Sequence, residues 1–288
     1  GRLFDEMTEF AKYCFNKSHA DCNSAISYQT AWLKYHYPKE FLCAMFNNKP
    51  QDKYQPIIED CRKARVKLLP VSVNRSFHYF VTEGEGIRYG FIGIKQISDD
   101  SLSNEIIKNR TERPYESFSD FAKRVCIRQK EDDSYSQVEK TPIENLILTG
   151  AFDEVYPSRE ELLLAYDAFT RAFPKARTKK AIYKLADGII PCEDREDKSF
   201  NRKKEMELLG AIIKNDPLEG FASDADVNCT PFDELTEGTH EIFGLVTEEE
   251  RFYSKKGNPY LKIRLRGLSG SMNVMKFRPD PEESYFGK

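Results

Sequence analysis

Apolar positions in the first 75 residues recur at three- and four-residue steps, which predicts a series of amphipathic helices. The first runs from about Phe4 to Phe15, and Ser18 with Asp21 has the spacing of a capping box that opens a second helix. We expect that helix to reach about His36 and to bury one stripe, made of Cys22, Ala25, Ile26, Gln29, Trp32 and Leu33.

Two further helices follow in this part of the chain. Pro38 opens a helix through Phe46, because proline is tolerated in a first helical turn. The fourth helical face carries Ile57, Ile58, Cys61 and Ala64.

In the middle of the chain, the spacing of apolar residues changes from helical to alternating. VKLLPVSVN is predicted to be extended, and HYFVTEGEGIRYGF to be a β-hairpin in which Gly84 and Gly86 take positive φ at the turn. Short helices are then predicted from Ser101 to Asn109, Phe118 to Val125, Ile143 to Thr149 and Glu160 to Phe173. Residues 171 to 198 are first basic and then acidic, which favours a charged linker or exposed loop.

The last part of the chain alternates like a β-sheet. EIFGLVTEEERFY, PYLKIRLRG and SMNVMKF predict three strands separated by polar turns. Three strands of this kind could begin a small barrel, but an OB-fold needs five. The chain of 288 residues therefore predicts a multidomain α+β protein with helices first and an incomplete OB-like β domain last.

Composition narrows the class of protein. A formal charge of -3 gives no global sign of a polyanion-binding protein, and the 7 cysteines include no Cys-x-x-Cys pair that would indicate zinc or a disulfide framework. No apolar run approaches the roughly 18 residues of a membrane span. We expect a soluble protein of the reducing cytoplasm. Because the chain opens inside an amphipathic pattern without a Met, we also expect it to be part of something longer.

Two segments suggest chemistry. Lys17, Ser18 and His19 stand at a helix N-terminus, where free N–H groups favour an anion such as phosphate; alternatively, Ser18 only caps the helix and His19 lies on the surface. Acid pairs such as Asp99 and Asp100 are interpreted as solvated charge, so no metal site is predicted in this chain.

The segment from Tyr260 to Arg266 has the pattern of a nucleic-acid-binding strand. Its core face would carry Leu261, Ile263 and Leu265, and its outer face Tyr260, Lys262, Arg264 and Arg266, with Lys255 and Lys256 in the preceding turn. An aromatic side chain among positive charges suits single-stranded DNA. The alternative is a basic strand kept for solubility, with the run Glu248 to Glu250 nearby.

The first helices contain FNKSHA, YQTAWLK and HYPKEF, and further on stand IRYGFIGIKQIS, LILTGAFDE, EMELLG and VTEEERFYSKKGNPY. These segments, in this order, resemble the alpha subunits of bacterial DNA polymerase III, the family C replicative polymerases. The resemblance implies the end of a fingers domain at 1–75, a β-hairpin with tandem helix-hairpin-helix turns at 76–170, a charged connector at 171–235 and the start of an OB-like domain at 236–288.

The same resemblance implies a role in template-directed DNA synthesis. Lys17 and His19 would lie where the fingers approach the triphosphate of an incoming deoxynucleotide. The catalytic carboxylates and their Mg²⁺ would belong to a palm domain before residue 1, so this chain alone is expected to be inactive and to bind no cofactor. Primed template DNA and single-stranded DNA are the expected partners.

Two helix-hairpin-helix turns are implied. Such a turn lets backbone N–H groups approach a phosphate without reading sequence. The first lies in GIKQIS, where Gln96 and Ser98 replace the family's glycines while Lys95 is a candidate phosphate contact. The second is at Gly150, which can take positive φ. Packing elements without DNA contact are the alternative for both.

Partners and rival functions remain open at this stage. The family's peptide for the sliding clamp, a Gln followed by Leu-Phe, is missing between Arg171 and Phe232, so clamp binding rests on the resemblance alone. One rival function is a free-standing DNA-binding or replisome-docking module. Another is a DNA-repair enzyme, but no nucleophilic Lys motif or acidic cluster supports it. The sequence also leaves open whether the longer protein is a main replicative, an error-prone or a phage-encoded polymerase.

Overall fold

The computed structural model describes residues 2–12, 17–97, 100–176, 178–191, 198–214, 218, 230, 232–267, 270–280, 282–283 and 285. The helices are α1 (Arg2–Lys12), α2 (Lys17–His36), α3 (Pro38–Asn48), α4 (Tyr54–Lys63), α5 (Asp100–Glu112), α6 (Phe118–Phe121), α7 (Lys140–Leu148), α8 (Arg159–Ala172), α9 (Lys179–Asp187) and α10 (Lys198–Leu209). The strands are β1 (Lys67–Leu69), β2 (Val81–Glu83), β3 (Gly86–Arg88), β4 (Ile127–Gln129), β5 (Tyr135–Gln137), β6 (Leu245–Tyr253), β7 (Pro259–Arg266) and β8 (Ser271–Phe277). This is a multidomain α+β architecture, as predicted.

Local signals place several helix starts. Pro38 stands in the first turn of α3, as predicted. The side chains of Ser117, Ser158 and Thr178 each accept a backbone N–H at the start of α6, α8 and α9. Such caps satisfy donors that have no partner within the helix, so these helices begin where the sequence supplies a hydroxyl.

The stripe on α2 is not buried, and the prediction that it is buried was wrong. Ile26 is 58% exposed, Trp32 43% and Leu33 44%, and Tyr28 lies beside them at 71%. The spacing produced the expected helix, but periodicity cannot say what covers an apolar face. The described part of the chain leaves this one uncovered.

The predicted hairpin is part of a three-stranded sheet. Strands β2 and β3 pair antiparallel, and β1 pairs with β3 in parallel. Gly84 takes a φ of +54° at the turn, as expected, but Gly86 does not take positive φ. A Cβ at Gly86 would lie 2.7 Å from the Lys67 carbonyl oxygen, so this glycine serves the close approach of β1 instead.

One hydrophobic core joins most of the helical part. Its buried members run from Leu42 on α3 to Ala211 after α10. Phe46 stacks on Phe80 with ring centroids 4.7 Å apart, and Phe118 meets Phe152 edge to face at 4.9 Å. This core does not divide near residues 75 or 170, and the domain boundaries stay a prediction.

The basic part of the predicted charged linker is a packed helix, so that prediction was wrong for residues 179 to 187. Helix α9 contacts α6 and α8 and buries Ile182 and Ala186 at i and i+4. The spacing of small and apolar residues between the lysines was the missed signal. The acidic stretch from residue 192 to 197 lies outside the described residues.

A buried ion-pair network fastens α8 to α10. The Arg159 guanidinium donates to both carboxylate oxygens of Asp153, at 2.9 and 2.7 Å, and lies 2.8 Å from Glu205 on α10. The Arg159 and Glu205 side chains are only 3% and 2% exposed. The second Glu205 oxygen accepts the backbone N–H groups of Ile213 and Lys214, at 2.8 and 3.1 Å.

Ionisation in this network reflects a balance of burial and pairing. Burial acts to lower the pKa of Arg159, but the Asp153 and Glu205 carboxylates outweigh it and raise that pKa. Burial raises the pKa of Glu205, and the Arg159 charge and the two backbone donors act against it. With so many partners, the guanidinium remains charged.

The three terminal strands form an antiparallel sheet of order β6-β7-β8 and do not close into a barrel. Leu261 and Ile263 are buried on one face, as predicted. That face is covered by residues after β8, since Arg251 donates to the carbonyl oxygens of Asp280 and Glu283. On the outer side, the Ser271 hydroxyl donates to Glu59 of α4 at 2.6 Å.

We expect Arg159→Met to lower the free energy of unfolding by about 3–5 kcal/mol, because it leaves the buried Glu205 carboxylate without a cation, while Asp153 keeps only its pairing with Lys214. Urea denaturation followed by circular dichroism measures this change. Arg171→Ala is the control: Arg171 is 80% exposed and pairs with Asp167, so the loss should stay below about 1 kcal/mol. Equal losses in the two variants would contradict the importance assigned to the buried network.

Candidate nucleic-acid interface

The first hairpin turn contains a residue other than glycine in the left-handed conformation. Gln96 itself takes a φ of +65°, the left-handed conformation that glycine adopts at little cost. Asn145 of α7 donates to the Lys95 carbonyl oxygen at 2.8 Å and to the Gln96 side chain at 3.3 Å. These bonds hold the strained residue in place. Ser98 lies outside the described residues.

The end of α10 also packs on this turn. The Lys95 N–H donates to the Leu208 carbonyl oxygen at 3.3 Å, and the Tyr89 hydroxyl donates to that of Leu209 at 2.7 Å. Gln51 bridges Gly93 and Leu208 through its side-chain amide, at 2.8 and 2.5 Å. The last carbonyl groups of the helix are therefore satisfied by Gln51 and by the segment that leads into the turn.

Two exposed cations border the first turn. Lys95 itself is exposed, as a phosphate contact requires. A cavity of about 230 Å³ beside the turn is lined by Gln96, Ile97, Ser101, Leu102, Arg128, Val138, Glu139 and Pro142. Arg128 of β4 reaches it while pairing with Glu105 at 2.6 Å. The cavity thus places the Arg128 guanidinium and the Glu139 carboxylate beside the first hairpin turn.

The second turn has the predicted φ, but it is buried. Gly150 takes a φ of +81° and is buried. A Cβ built there would lie 2.2 Å from an Arg159 guanidinium nitrogen and 2.8 Å from Asp153. The glycine therefore makes room for the buried ion pair. DNA contact by Gly150 stays a prediction, and its burial argues against it.

The outer face of the terminal sheet carries a row of aromatic rings that the sequence reasoning named only in part. The register pairs Phe252 of β6 with Tyr260 of β7, and Tyr260 with Phe277 of β8. Ring centroids lie 5.6 and 6.1 Å apart along the row. Phe252 is 37% exposed and Phe277 70%. An aromatic at the matching end of each strand was the signal that could have revealed them.

The basic residues of β7 divide into three environments. Lys262 is exposed, as predicted. Arg264 lies 3.9 Å from Glu248 and 3.8 Å from Glu59, so carboxylates balance its charge. Arg266 is only 3% exposed, and the prediction that it lies on an open outer face was wrong.

Arg266 stands at the end of β7, where the Phe232 ring packs closely. A Cβ added to Gly267 or to Gly244 would lie 2.9 or 3.1 Å from that ring. Alternation along a strand predicts which face a side chain takes, but not what covers that face at the strand end.

The other predicted contacts lie apart from this row. Lys255 and Lys256 are exposed in the β6–β7 turn, where Gly257 has a φ of +78°. Lys17 and His19 lie in the first turn of α2, as predicted, and their side chains lie outside the description. The sheet, the hairpin turns and the start of α2 are thus separate candidate surfaces.

Among the described cysteines, Cys43, Cys61 and Cys126 are buried and Cys22 is exposed. Burial raises the pKa of the Cys61 thiol to about 12, which suppresses the nucleophilic thiolate. No cluster of three or more His, Cys, Asp or Glu side chains that could hold a metal occurs in the described ranges. None of the described helices is long and apolar enough to cross a membrane.

Comparison with known proteins gives a consistent result. A family model described as a helix-hairpin-helix motif matches residues 65–162. The chain is 30% identical over 294 residues to the DNA polymerase III subunit alpha of Thermus aquaticus, covering 96% of this chain and 23% of the relative. The corresponding protein of Mycobacterium tuberculosis is 27% identical over 308 residues, covering 98% and 25%. The chain thus spans a quarter or less of these relatives' length.

We expect Gly150→Ala to lower the free energy of unfolding by about 2 kcal/mol or more, since it adds both left-handed strain and a clash with Arg159. Gly210→Ala is a matched control, because Gly210 has a φ of +73° with nothing within 4 Å of the added Cβ. Its cost should be about 1 kcal/mol, from backbone strain alone. Equal costs in urea denaturation would show that the Arg159 contact does not matter.

Proposed function

The chain belongs to the family of the bacterial DNA polymerase III alpha subunits, to which it is similar along nearly its whole length, and we propose that it holds DNA during template-directed synthesis. The aromatic row Phe252, Tyr260 and Phe277 carries this proposal. Bases of any sequence can stack on such rings, as a replicative polymerase requires. The sheet would then be the first part of an OB-like domain.

Charge on the same face supports backbone contact. Lys262 lies on β7, next to the aromatic row, and Lys255 and Lys256 extend from the turn between β6 and β7. These exposed lysines would attract the phosphates of a single strand whose bases stack on the rings. Glu248 and Glu250 reduce the net charge, so stacking rather than attraction would supply most of the affinity.

The hairpin turns would hold the duplex part of a primed template. The helix-hairpin-helix family match covers both turns, and Lys95 lies exposed at the first. Contacts of this kind position a duplex without reading its sequence. Gln96 has the positive φ expected of a glycine at this turn. Its side chain, however, occupies space that a glycine would leave free beside the backbone.

The start of α2 is the proposed site for the incoming nucleotide. Lys17 and His19 at the start of α2 would contact the triphosphate of the incoming deoxynucleotide. The family resemblance would place the Mg²⁺ and its carboxylates in a palm outside this chain, so that this chain alone would not transfer nucleotides. The cytoplasm would be its place in the cell.

A second function is a replisome-docking module without polymerase activity. The exposed apolar side chains on α2, among them Tyr28 and Trp32, favour contact with another protein surface. Sliding-clamp binding is proposed only from the family resemblance, because the expected peptide, a Gln followed by Leu-Phe, is missing from residues 171 to 232.

We expect Phe252→Ala with Phe277→Ala to weaken binding of a labelled oligo(dT) by about tenfold or more, because each stacked base contributes roughly 1–3 kcal/mol. Fluorescence anisotropy at two salt concentrations measures the affinity. Tyr28→Ala with Tyr35→Ala removes two exposed aromatics on α2 and serves as the matched control. Unchanged binding in the sheet variant would reject the stacking surface, and loss only in the control would favour α2.

A further inference from the structure

One stretch of the chain concentrates positive charge without any acid. Between Asp167 and Asp187 the sequence contains no Asp or Glu, although the whole chain has 47 acidic residues and a net charge of -3. The cations in that stretch are Arg171, Lys175, Arg177, Lys179, Lys180 and Lys184. Arg177 lies outside the described residues.

The described cations of this stretch are all exposed, and we define Arg171, Lys175, Lys179, Lys180 and Lys184 as the basic ridge. Phe169 and Phe173 are buried on the inner side of α8 and of the short helix after it, and Ile182 and Ala186 on the inner side of α9. Lys179 is the first residue of α9, and Lys180 and Lys184 stand one turn apart on the side of α9 away from Ile182 and Ala186. Burial of the apolar face therefore directs Lys180 and Lys184 outward.

The ridge keeps most of its charge. Arg171 pairs with Asp167 at 2.6 Å, but no described carboxylate forms an ion pair with Lys175, Lys179, Lys180 or Lys184. The nearby Asp187 pairs instead with Lys123. The Lys179 ammonium lies 5.4 Å from the centroid of the Tyr183 ring, a contact that leaves its charge in place.

The composition of the ridge favours a polyanion over a protein surface. Protein interfaces generally have an apolar centre. The described residues from Phe169 to Asp187 include no exposed large hydrophobic side chain. Flexible lysines around a packed helix are suited to contacts with a phosphate backbone, which needs charge but no shape-specific pocket.

The position of the ridge continues that of the second hairpin. Helix α8 begins at Arg159, whose guanidinium packs against the turn at Gly150, and it ends at Ala172. Its 14 residues span about 21 Å at 1.5 Å per residue. That distance matches about six base pairs of B-form DNA at roughly 3.4 Å each.

We propose that the basic ridge binds the phosphate backbone of duplex DNA, extending the contact that begins at the hairpin turns. This inference rests on the proposed function and adds a second, electrostatic contact to it. The lysines would grip the duplex without selecting its sequence, while the aromatic row on the terminal sheet would serve single strands.

The test compares the whole chain with its Lys179→Gln, Lys180→Gln, Lys184→Gln variant on a 20-base-pair duplex. Anisotropy titrations over a series of salt concentrations give the slope of log affinity against log salt. If two or three phosphates are contacted, the slope should become shallower by about 2–3, at roughly 0.9 per phosphate. Affinity at low salt should fall by about tenfold or more.

The controls separate charge from fold. Lys49→Gln, Lys53→Gln, Lys63→Gln removes the same charge from exposed positions on other elements and should change affinity less than about twofold. Changing the three ridge lysines to Arg should keep the slope, since each arginine retains its charge. If the Gln variant misfolds by circular dichroism, lost affinity in this Arg variant would overturn the proposal.

Each outcome is decisive. A ridge variant with wild-type slope and affinity overturns the ridge and leaves the proposed function intact. Equal losses in the ridge and control variants mean that only net charge matters, which also overturns it. If the wild type binds neither duplex nor oligo(dT) at low salt, both the ridge and the proposed function fail.

Discussion

The fold depends on the buried guanidinium of Arg159. It is surrounded by Asp153, Glu205 and the Leu148 carbonyl oxygen, and it joins the second hairpin turn to α10. Burying these charges costs free energy unless every group is paired, and here Glu205 is also bonded to two backbone N–H groups. The network fixes where α10 lies, and Gly150 is required because no other residue leaves space for Arg159.

The position of α10 determines the geometry of the first turn as well. Its final carbonyl groups accept bonds from Gln51, Tyr89 and the Lys95 backbone, while Asn145 ties the same turn to α7. One helix, far away in sequence, therefore holds both hairpin turns in a fixed relation. If a duplex lies along this region, as proposed, a fixed relation between the two turns would suit it better than two independently mobile motifs would.

Local signals in the sequence predicted what is local in the fold. Pro38 and the helical spacing after it gave α3, and alternation gave the three terminal strands, because caps and side-chain periods act over a few residues. Burial was predicted less well. The α2 stripe is exposed and Arg266 is buried, because both depend on what packs over them. The aromatic row could be recognised only once the strand register was known. The positive φ of Gln96 could not be predicted either, because it depends on a hydrogen bond from Asn145 on a distant helix.

The arrangement of charge explains how an acidic chain can handle a polyanion. A net charge of -3 opposes nonspecific attraction over the whole surface, so affinity has to come from places where acids are absent or already paired. Asp187 pairs with Lys123 rather than with the ridge, Asp167 is shared between Lys140 and Arg171, and Glu59 and Glu248 balance Arg264 on the sheet. In the proposed arrangement, phosphate contact would fall to the ridge and to Lys95, and the sheet would act mainly through its rings. Duplex and single-stranded parts of one substrate would then be held by different physical forces, and only the first would respond strongly to salt.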